Sequence, residues 1–362
     1  MLAAKNVFTL IATAMVAHLV AYPALAQTAD MPPAEPLKEK IEKVETTNKV
    51  EETKTEAAET TTVTTEKKTT VISKKPRVAL VLGGGGARGA AHVGVIKVLM
   101  QENIPIDMVV GTSIGSVVGG MYAAGIKPDD MQKVFEDASL MRAFMTVPVP
   151  VRVAVAPVMF APRLVGHHAY DGLYKGGKFR TFMNELLPAK ERDIENLPLP
   201  YAAICLNVVD GKTHRITKGS LSRAMQASTA VPGLRKPVEI DGQLFVDGGV
   251  ISNVPVDHAK EMGADFVIAV NIDERVDEVP LKTFRAAGSI SRRMVKLQLA
   301  ALDAPQCAKA DIVIHPNVDG ISLISRSRHD GVKGVEAGEK AAKEALPELK
   351  LKLSAIGVLP AQ

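Results

Sequence analysis

A nearly all-apolar run, Arg77–Leu82 (RVALVL), passes directly into Gly83-Gly84-Gly85-Gly86-Ala87-Arg88-Gly89 and then into a helical pattern. Six residues with almost no polar face fit a strand buried on both sides, which requires helices above and below it. The following pattern places Ala91, Val95, Val98 and Leu99 on one face until Asn103 and Pro105 end it. A second strand–turn–helix stretch follows, without an internal repeat. Asp107–Val110 reads as a strand, and Gly111-Thr112-Ser113-Ile114-Gly115 as a sharp turn. A helix rich in small residues (Gly119, Gly120, Ala123, Ala124) follows, stopped by Gly125, and Pro128 starts another. Further strands are expected over Tyr201–Val209, Thr213–Thr217, Val238–Ile240, Leu244–Val246, Phe266–Ile272 and Asp311–Ile314. Asp210-Gly211 and Asp241-Gly242 have the chemistry of two-residue hairpin turns. Helices are expected over Lys175–Leu187, Leu221–Ala227, Val256–Met262 and Val332–Ala345. Strands alternating with helices predict an α/β fold with a largely parallel central sheet.

The chain divides into four parts. Residues 1–26 read as a signal peptide, with Lys5, an apolar run Val7–Val20 and a small-x-small site Ala24-Leu25-Ala26. The same run approaches the length of a membrane span, so an uncleaved N-terminal anchor is the alternative. Residues 27–75 are dominated by Thr, Glu, Lys and Ala, without Gly, Cys or aromatic residues. Such a segment buries too little apolar surface to offset its ordering entropy and reads as a disordered spacer. Leu37, Ile41 and Val44 would allow one short amphipathic helix within it. Residues 76–346 form the folded domain and 347–362 a C-terminal tail. Localisation is therefore expected to be secreted or periplasmic after cleavage.

Composition excludes little. A net charge of +4 permits attraction to anionic lipid, and no basic cluster with interleaved aromatics points to nucleic acid. The two cysteines, Cys205 and Cys307, lack metal-ligand spacing. Export would allow a disulfide, but Cys205 lies in an apolar run, where a buried free thiol is commoner.

Gly84–Gly89 also fits the G-x-G-x-x-G pattern of a dinucleotide site. Such a site wants an acidic residue at the end of the second strand, to hold ribose hydroxyls. Here Asp107 begins that strand and Gly111-Thr112-Ser113 ends it. A Walker phosphate loop fails as well, because no Gly-Lys-Ser/Thr follows. The remaining role is an oxyanion hole, in which glycines turn backbone N–H groups towards a site beside a helix N-terminus. A tight structural turn is the bland alternative.

The G-x-S-x-G run places Ser113 on a strained strand-to-helix turn as a candidate nucleophile, flanked by the glycines Gly111 and Gly115. Thr112 and Ser116 read as turn and helix-start residues. A serine needs a base. Of the eight histidines, His258 follows Asp247 in order but lies in a helical pattern. His92 lies inside the first helix, and His167, His168 and His329 fall in loops. Asp247 is the stronger candidate. A hairpin through Leu244-Phe245-Val246 delivers it at a strand end, and Gly248 and Gly249 allow close approach. A turn-capping role is its bland alternative.

Taken together, Gly83–Gly89, Gly111–Gly115 and Asp247-Gly248-Gly249 resemble the patatin-like phospholipase family. So do Ala227–Gly233 and Val250–Pro255. The resemblance covers about Arg77 to Pro316. It implies a three-layer α/β/α fold and a Ser113–Asp247 dyad without histidine. It also implies an oxyanion hole from Gly84, Gly85 and Gly86, with Gly89, Gly111, Gly115, Gly248 and Gly249 as motif glycines. Arg88 would shape the loop or neutralise a phosphate head group. No metal or organic cofactor is implied. The partner would be a lipid or phospholipid substrate, with peripheral membrane contact; the oligomeric state is left open. The chain looks like the minimal bacterial form. Phe144–Val165, apolar but broken by four prolines and alternating at its valines, reads either as an extended segment packed on the core or as a lid for acyl chains. Two other functions stay in view: a nucleotide-dependent α/β enzyme, and an inactive envelope lipid-binding protein.

Overall fold

The computed structural model describes residues 75–148, 151, 153–156, 170–189 and 192–360. The signal, its anchor alternative and almost all of the spacer lie outside the described residues. The described elements, in chain order, are β1 (Val78–Leu82), α1 (Ala90–Gln101), β2 (Met108–Thr112), α2 (Ile114–Ala123), α3 (Pro128–Glu136), α4 (Ser139–Phe144) and α5 (Gly177–Leu186). They continue with β3 (Tyr201–Asn207), β4 (Thr213–Ile216), α6 (Leu221–Ser228), β5 (Val238–Ile240), β6 (Gln243–Asp247) and α7 (Val256–Glu261). Last come β7 (Phe266–Val270), α8 (Ser289–Cys307), β8 (Ile312–Ile314) and α9 (Arg328–Ala355).

The strands form one sheet in the order β5-β6-β3-β2-β1-β7-β8, with β4 also on β3. Pairings among β1, β2, β3, β7 and β8 are parallel, and β4, β5 and β6 run antiparallel to their partners. The expected α/β class and largely parallel sheet are what the structure has. Alternate residues of β1 enter different cores. Val78, Leu80 and Leu82 pack with α1 and α2, whereas Ala79 and Val81 pack with Val254, Val256 and Ala259 at α7. Helices on both faces make three layers, which is why these strands are apolar throughout.

One detail of register positions the site. β3 pairs with β2 through Tyr201–Ile204 and with β6 through Cys205–Asn207. β4 pairs Ala203–Leu206 and so overlaps both partners. A strand has two edges, so β2 and β6 must share the edge opposite β4. The end of β2 (Thr112, opposite Ile204) therefore abuts the end of β6 (Asp247, opposite Cys205).

Several expectations need correction. The connection after β3 runs from Val208 to Lys212, wider than a two-residue turn, because Asn207 N–H reaches Lys212 O and Gly211 N–H reaches Asn207 O. The Asp241-Gly242 turn does hold two residues, both with positive φ (50° and 74°), as that hairpin type requires. α9 passes through the expected boundary at residue 346, with Pro347 inside it. Leu349 and Leu353 are fully buried, so residues 347–355 belong to the fold rather than to a tail. α9 crosses α1 closely: a Cβ on Gly338 would lie 2.0 Å from Ala91 O. α8 was not anticipated, and only Ser289 and Asp303 within it are buried. Most of Phe144–Val165 lies outside the described residues. Val151 and residues 153–156 are helical rather than extended. Val153 and Ala156 pack with Ala87, Met141 and Leu173, over the glycine loop. Cys205 is buried and Cys307 half-buried, both as free thiols. No helix among the described residues is long and apolar enough to cross a membrane.

Candidate active site

Ser113 sits between β2 and α2 at φ 52°, ψ −125°, a conformation that L-residues rarely adopt. Small neighbours hold it there. A Cβ on Gly115 would lie 2.1 Å from Leu82 O, and one on Gly111 would lie 2.4 Å from Gly115 O. Ser113 N–H donates to Ser228 Oγ (2.9 Å), and Ser228 Oγ–H donates to Ile204 O (2.7 Å). Thr112 Oγ1 donates to Ser252 O, and Ser116 Oγ to Ser113 O, the turn and helix-start roles expected of them.

Asp247 is the last residue of β6 and is 5% exposed. Its Oδ2 accepts the Ser113 hydroxyl at 2.6 Å, and its Oδ1 accepts Gly249 N–H at 2.8 Å. Burial pushes its carboxyl up to about 6, against the lowering effects of those two hydrogen bonds and of the Arg235 charge. Gly248 lies against the Ile204 carbonyl, where a Cβ would be 2.5 Å away.

The glycine loop faces the serine. A Cβ on Gly84 would lie 3.2 Å from Ser113 Cβ and 2.4 Å from Asn253 Oδ1. Gly84 N–H points at Asn253 O (3.3 Å), so it is already committed. Gly85 and Gly86 N–H make no backbone hydrogen bond among the described residues, and a 3₁₀ turn starts at Gly86. Gly89 packs on Ile114, where a Cβ would be 2.3 Å from Cγ1. Arg88 is buried, with Nε on Ile321 O (2.9 Å) and Nη2 on Glu274 (2.8 Å). Of its two expected roles, these contacts fit shaping the loop; its fork is already occupied.

No described histidine is hydrogen-bonded to Ser113 or Asp247. His92 Nε2–H donates to Gly83 O (2.8 Å), and burial holds its pKa down to about 4, so the ring is neutral. His258 Nε2 lies 2.9 Å from Thr213 Oγ1, His214 pairs with Asp210, and His315 Nε2–H donates to Asp273 O. His18, His167 and His168 lie outside the described residues.

Three contributors were not anticipated. Ser228 anchors the serine amide from within the Ala227–Gly233 run. Asn253, within Val250–Pro255, wedges between the glycine loop and Gly249, where a Cβ would be 3.1 Å from its Oδ1. Its Nδ2 donates to Asp303 (2.9 Å) and Asp273 (3.2 Å). Those two carboxyls are buried together. Burial pushes both carboxyls up and their proximity raises Asp273 further, which favours a proton shared between them. Arg235, 1% exposed, sits behind Asp247.

Fold and site together define an α/β protein in which a serine after the parallel strand β2 meets an aspartate at the end of the antiparallel strand β6, faced by free backbone amides. A family model for patatin-like phospholipases matches residues 80–260, half of the chain. The chain belongs to the patatin-like phospholipase family. Human patatin-like phospholipase domain-containing protein 6 is 35% identical over 210 residues, covering 57% of this chain and 14% of that protein. An uncharacterized NTE family protein of Mycobacterium tuberculosis is 34% identical over 198 residues, covering 55% and 49%. The chain thus spans under half the length of either relative. Among solved structures, VipD from Legionella pneumophila has a TM-score of 0.43 at 15% identity, covering 76% of this chain and 67% of that one. A human cytosolic phospholipase A2 of group IVD has 0.42 at 12%, covering 78% and 59%.

Proposed function

We propose that this chain is a serine acyl hydrolase of lipid esters, of the phospholipase A or lysophospholipase type. The observation that carries the reading is the 2.6 Å contact between Ser113 Oγ and Asp247 Oδ2, with no described histidine on either group. Asp247 takes the Ser113 proton while Oγ bonds to the ester carbonyl carbon. The carbonyl electron pair moves to oxygen, and the Gly85 and Gly86 N–H groups hold that charge. Collapse re-forms the carbonyl and expels the alkoxide, which leaves with the proton from Asp247. Water then gives a proton to Asp247 and attacks the acyl-serine. The second collapse releases the fatty acid and returns the proton to Ser113 Oγ. No metal or organic cofactor enters these steps.

Membership of the family supports a lipid substrate. Export, peripheral membrane contact and use of Phe144–Val165 as an acyl entrance belong to the same proposal. Fluorophosphonate labelling of the full chain, read by mass spectrometry, tests it alongside Ser113→Ala and Asp247→Asn. Label confined to Ser113, with ester hydrolysis lost in both variants, is expected. Folded protein that neither labels nor hydrolyses any ester would overturn the reading, and nucleotide binding would be tested next.

A further inference from the structure

Arg235 is the largest fully buried side chain among the described residues, where it makes no ion pair. Its Cζ lies 4.4 Å from the centroid of the Phe144 ring and 4.9 Å from that of Phe179. Nη1 donates to Thr229 Oγ1 (3.1 Å), while Nη2 has no partner among the described residues. Burial pulls the guanidinium down to about 9, opposed by the Asp247 charge. A buried guanidinium with an unpaired donor is destabilising unless something charged answers it.

The unpaired arm lies against the start of a helix. A Cβ on Gly176 would be 2.2 Å from Arg235 Nη2, and Gly176, at φ 80°, is the N-cap of the ten-residue α5. Gly176 has no side chain to cap that helix start, and the amides of residues 177–179 make no backbone hydrogen bond among the described residues. A Cβ on Gly177 would meet nothing within 4 Å, so this side is open. Lys175 and Lys178 are exposed on either side of the two glycines, and neither makes an ion pair among the described residues. Helix end, buried guanidinium and two ammonium groups all present positive charge at one spot.

We propose that Lys175-Gly176-Gly177-Lys178, backed by Arg235, is a phosphate-binding site. Free helix amides suit a tetrahedral oxyanion, and Arg235 adds a fixed charge from a low-dielectric position beneath them. The phosphate can belong to a lipid head group or be inorganic. The head-group form rests on the hydrolase reading and has a structural basis: Arg235 bonds Thr229, and Asp247 N–H bonds Ala230 O (3.1 Å), so both hang from adjacent residues.

Inorganic phosphate is titrated into the full chain at constant ionic strength and followed by calorimetry. The proteins are wild type, Lys175→Ala/Lys178→Ala, and Arg235→Met where its unfolding stays cooperative; otherwise the surface double variant carries the test. Binding weakened by about tenfold or more in the variants is expected. A second arm compares kcat/KM for a lysophospholipid with that for a p-nitrophenyl ester. A tenfold fall in that ratio assigns the site to the head group, and an unchanged ratio with weakened phosphate binding assigns it to free phosphate. Absence of phosphate binding by wild type, or equal binding by the variants, overturns the site. Should wild type hydrolyse no ester, the hydrolase reading fails while the titration still decides the site.

Discussion

Neutralising Asp247 should stabilise the protein that it disables. The carboxyl is 5% exposed, and burial outweighs its two hydrogen bonds and the Arg235 charge, leaving it at about 6 against an ordinary 3.8. That rise corresponds to about 3 kcal/mol of native-state destabilisation once the group is ionised. The sign follows from the raised value. Below pH ~4 the group is protonated in both folded and unfolded chains and costs nothing. As pH rises towards 6 the unfolded chain releases the proton first, and stability falls; above 6 the loss is complete. The asparagine side chain of the Asp247→Asn variant would be neutral and nearly isosteric. Its carbonyl can accept Gly249 N–H while its amide donates to Ser113 Oγ. Asp247→Asn should therefore melt about 6 °C above wild type at pH 8, at roughly 2 °C per kcal/mol for a domain of this size. The gap should close towards pH 4. Scanning fluorimetry from pH 4 to 8, backed by urea unfolding, measures it. A variant no more stable than wild type at pH 8, or a gap that ignores pH, would refute the claim that burial dominates this carboxyl.

On the proposed mechanism the same group sets an acid limb on activity. Because the base must be ionised to take the serine proton, kcat/KM for a soluble ester should fall about tenfold per pH unit below about 6; a limb near 4 would show an unshifted carboxyl. Gly84→Ala places a Cβ 2.4 Å from Asn253 Oδ1 and 3.2 Å from Ser113 Cβ. It should lower kcat about a hundredfold, as loss of oxyanion geometry does, with folding intact by circular dichroism. Leu353→Ala, at a fully buried position of α9, should cost about 2–5 kcal/mol in urea unfolding. A neutral result would return residues 347–355 to the status of a tail.

The sheet was legible in the chain because its central strands are apolar on both faces, a pattern few other elements produce. What the chain hid follows from packing at a distance. α8 touches the core through little besides Ser289 and Asp303, so its apolar residues trace no clear stripe. The expected helix ends at Ala345, just before Pro347, yet Leu349 and Leu353 find a core to enter, and tertiary burial carries α9 past the proline. At the site, Ser113 and Asp247 were visible as local motifs, although the register of β3 that joins them was not. Asn253 lay in a run already singled out, but its partners Asp273 and Asp303 are 20 and 50 residues away. Arg235 gave no signal, since only the fold reveals that this arginine is buried behind Asp247 without forming an ion pair among the described residues.

The absence of a described histidine from the pair turns on the same burial. A carboxylate at its usual 3.8 is a weak base, more than two powers of ten below imidazole near 6.5. At about 6, Asp247 is within a factor of a few of imidazole. Burial supplies that increase, and the surrounding structure limits it. Ser113 and Gly249 donate to the carboxylate, and Arg235 holds a positive charge behind it, so the group still ionises at neutral pH. Without those three contributions the carboxyl would titrate higher and ionise less readily. With open solvent around it, the group would ionise freely and be too weak to help. On the proposed mechanism, the environment that makes ionised Asp247 destabilising to the fold is therefore also the one that would make it basic enough to serve without a histidine. Stability gained and activity lost in Asp247→Asn should accordingly share one origin and one pH dependence.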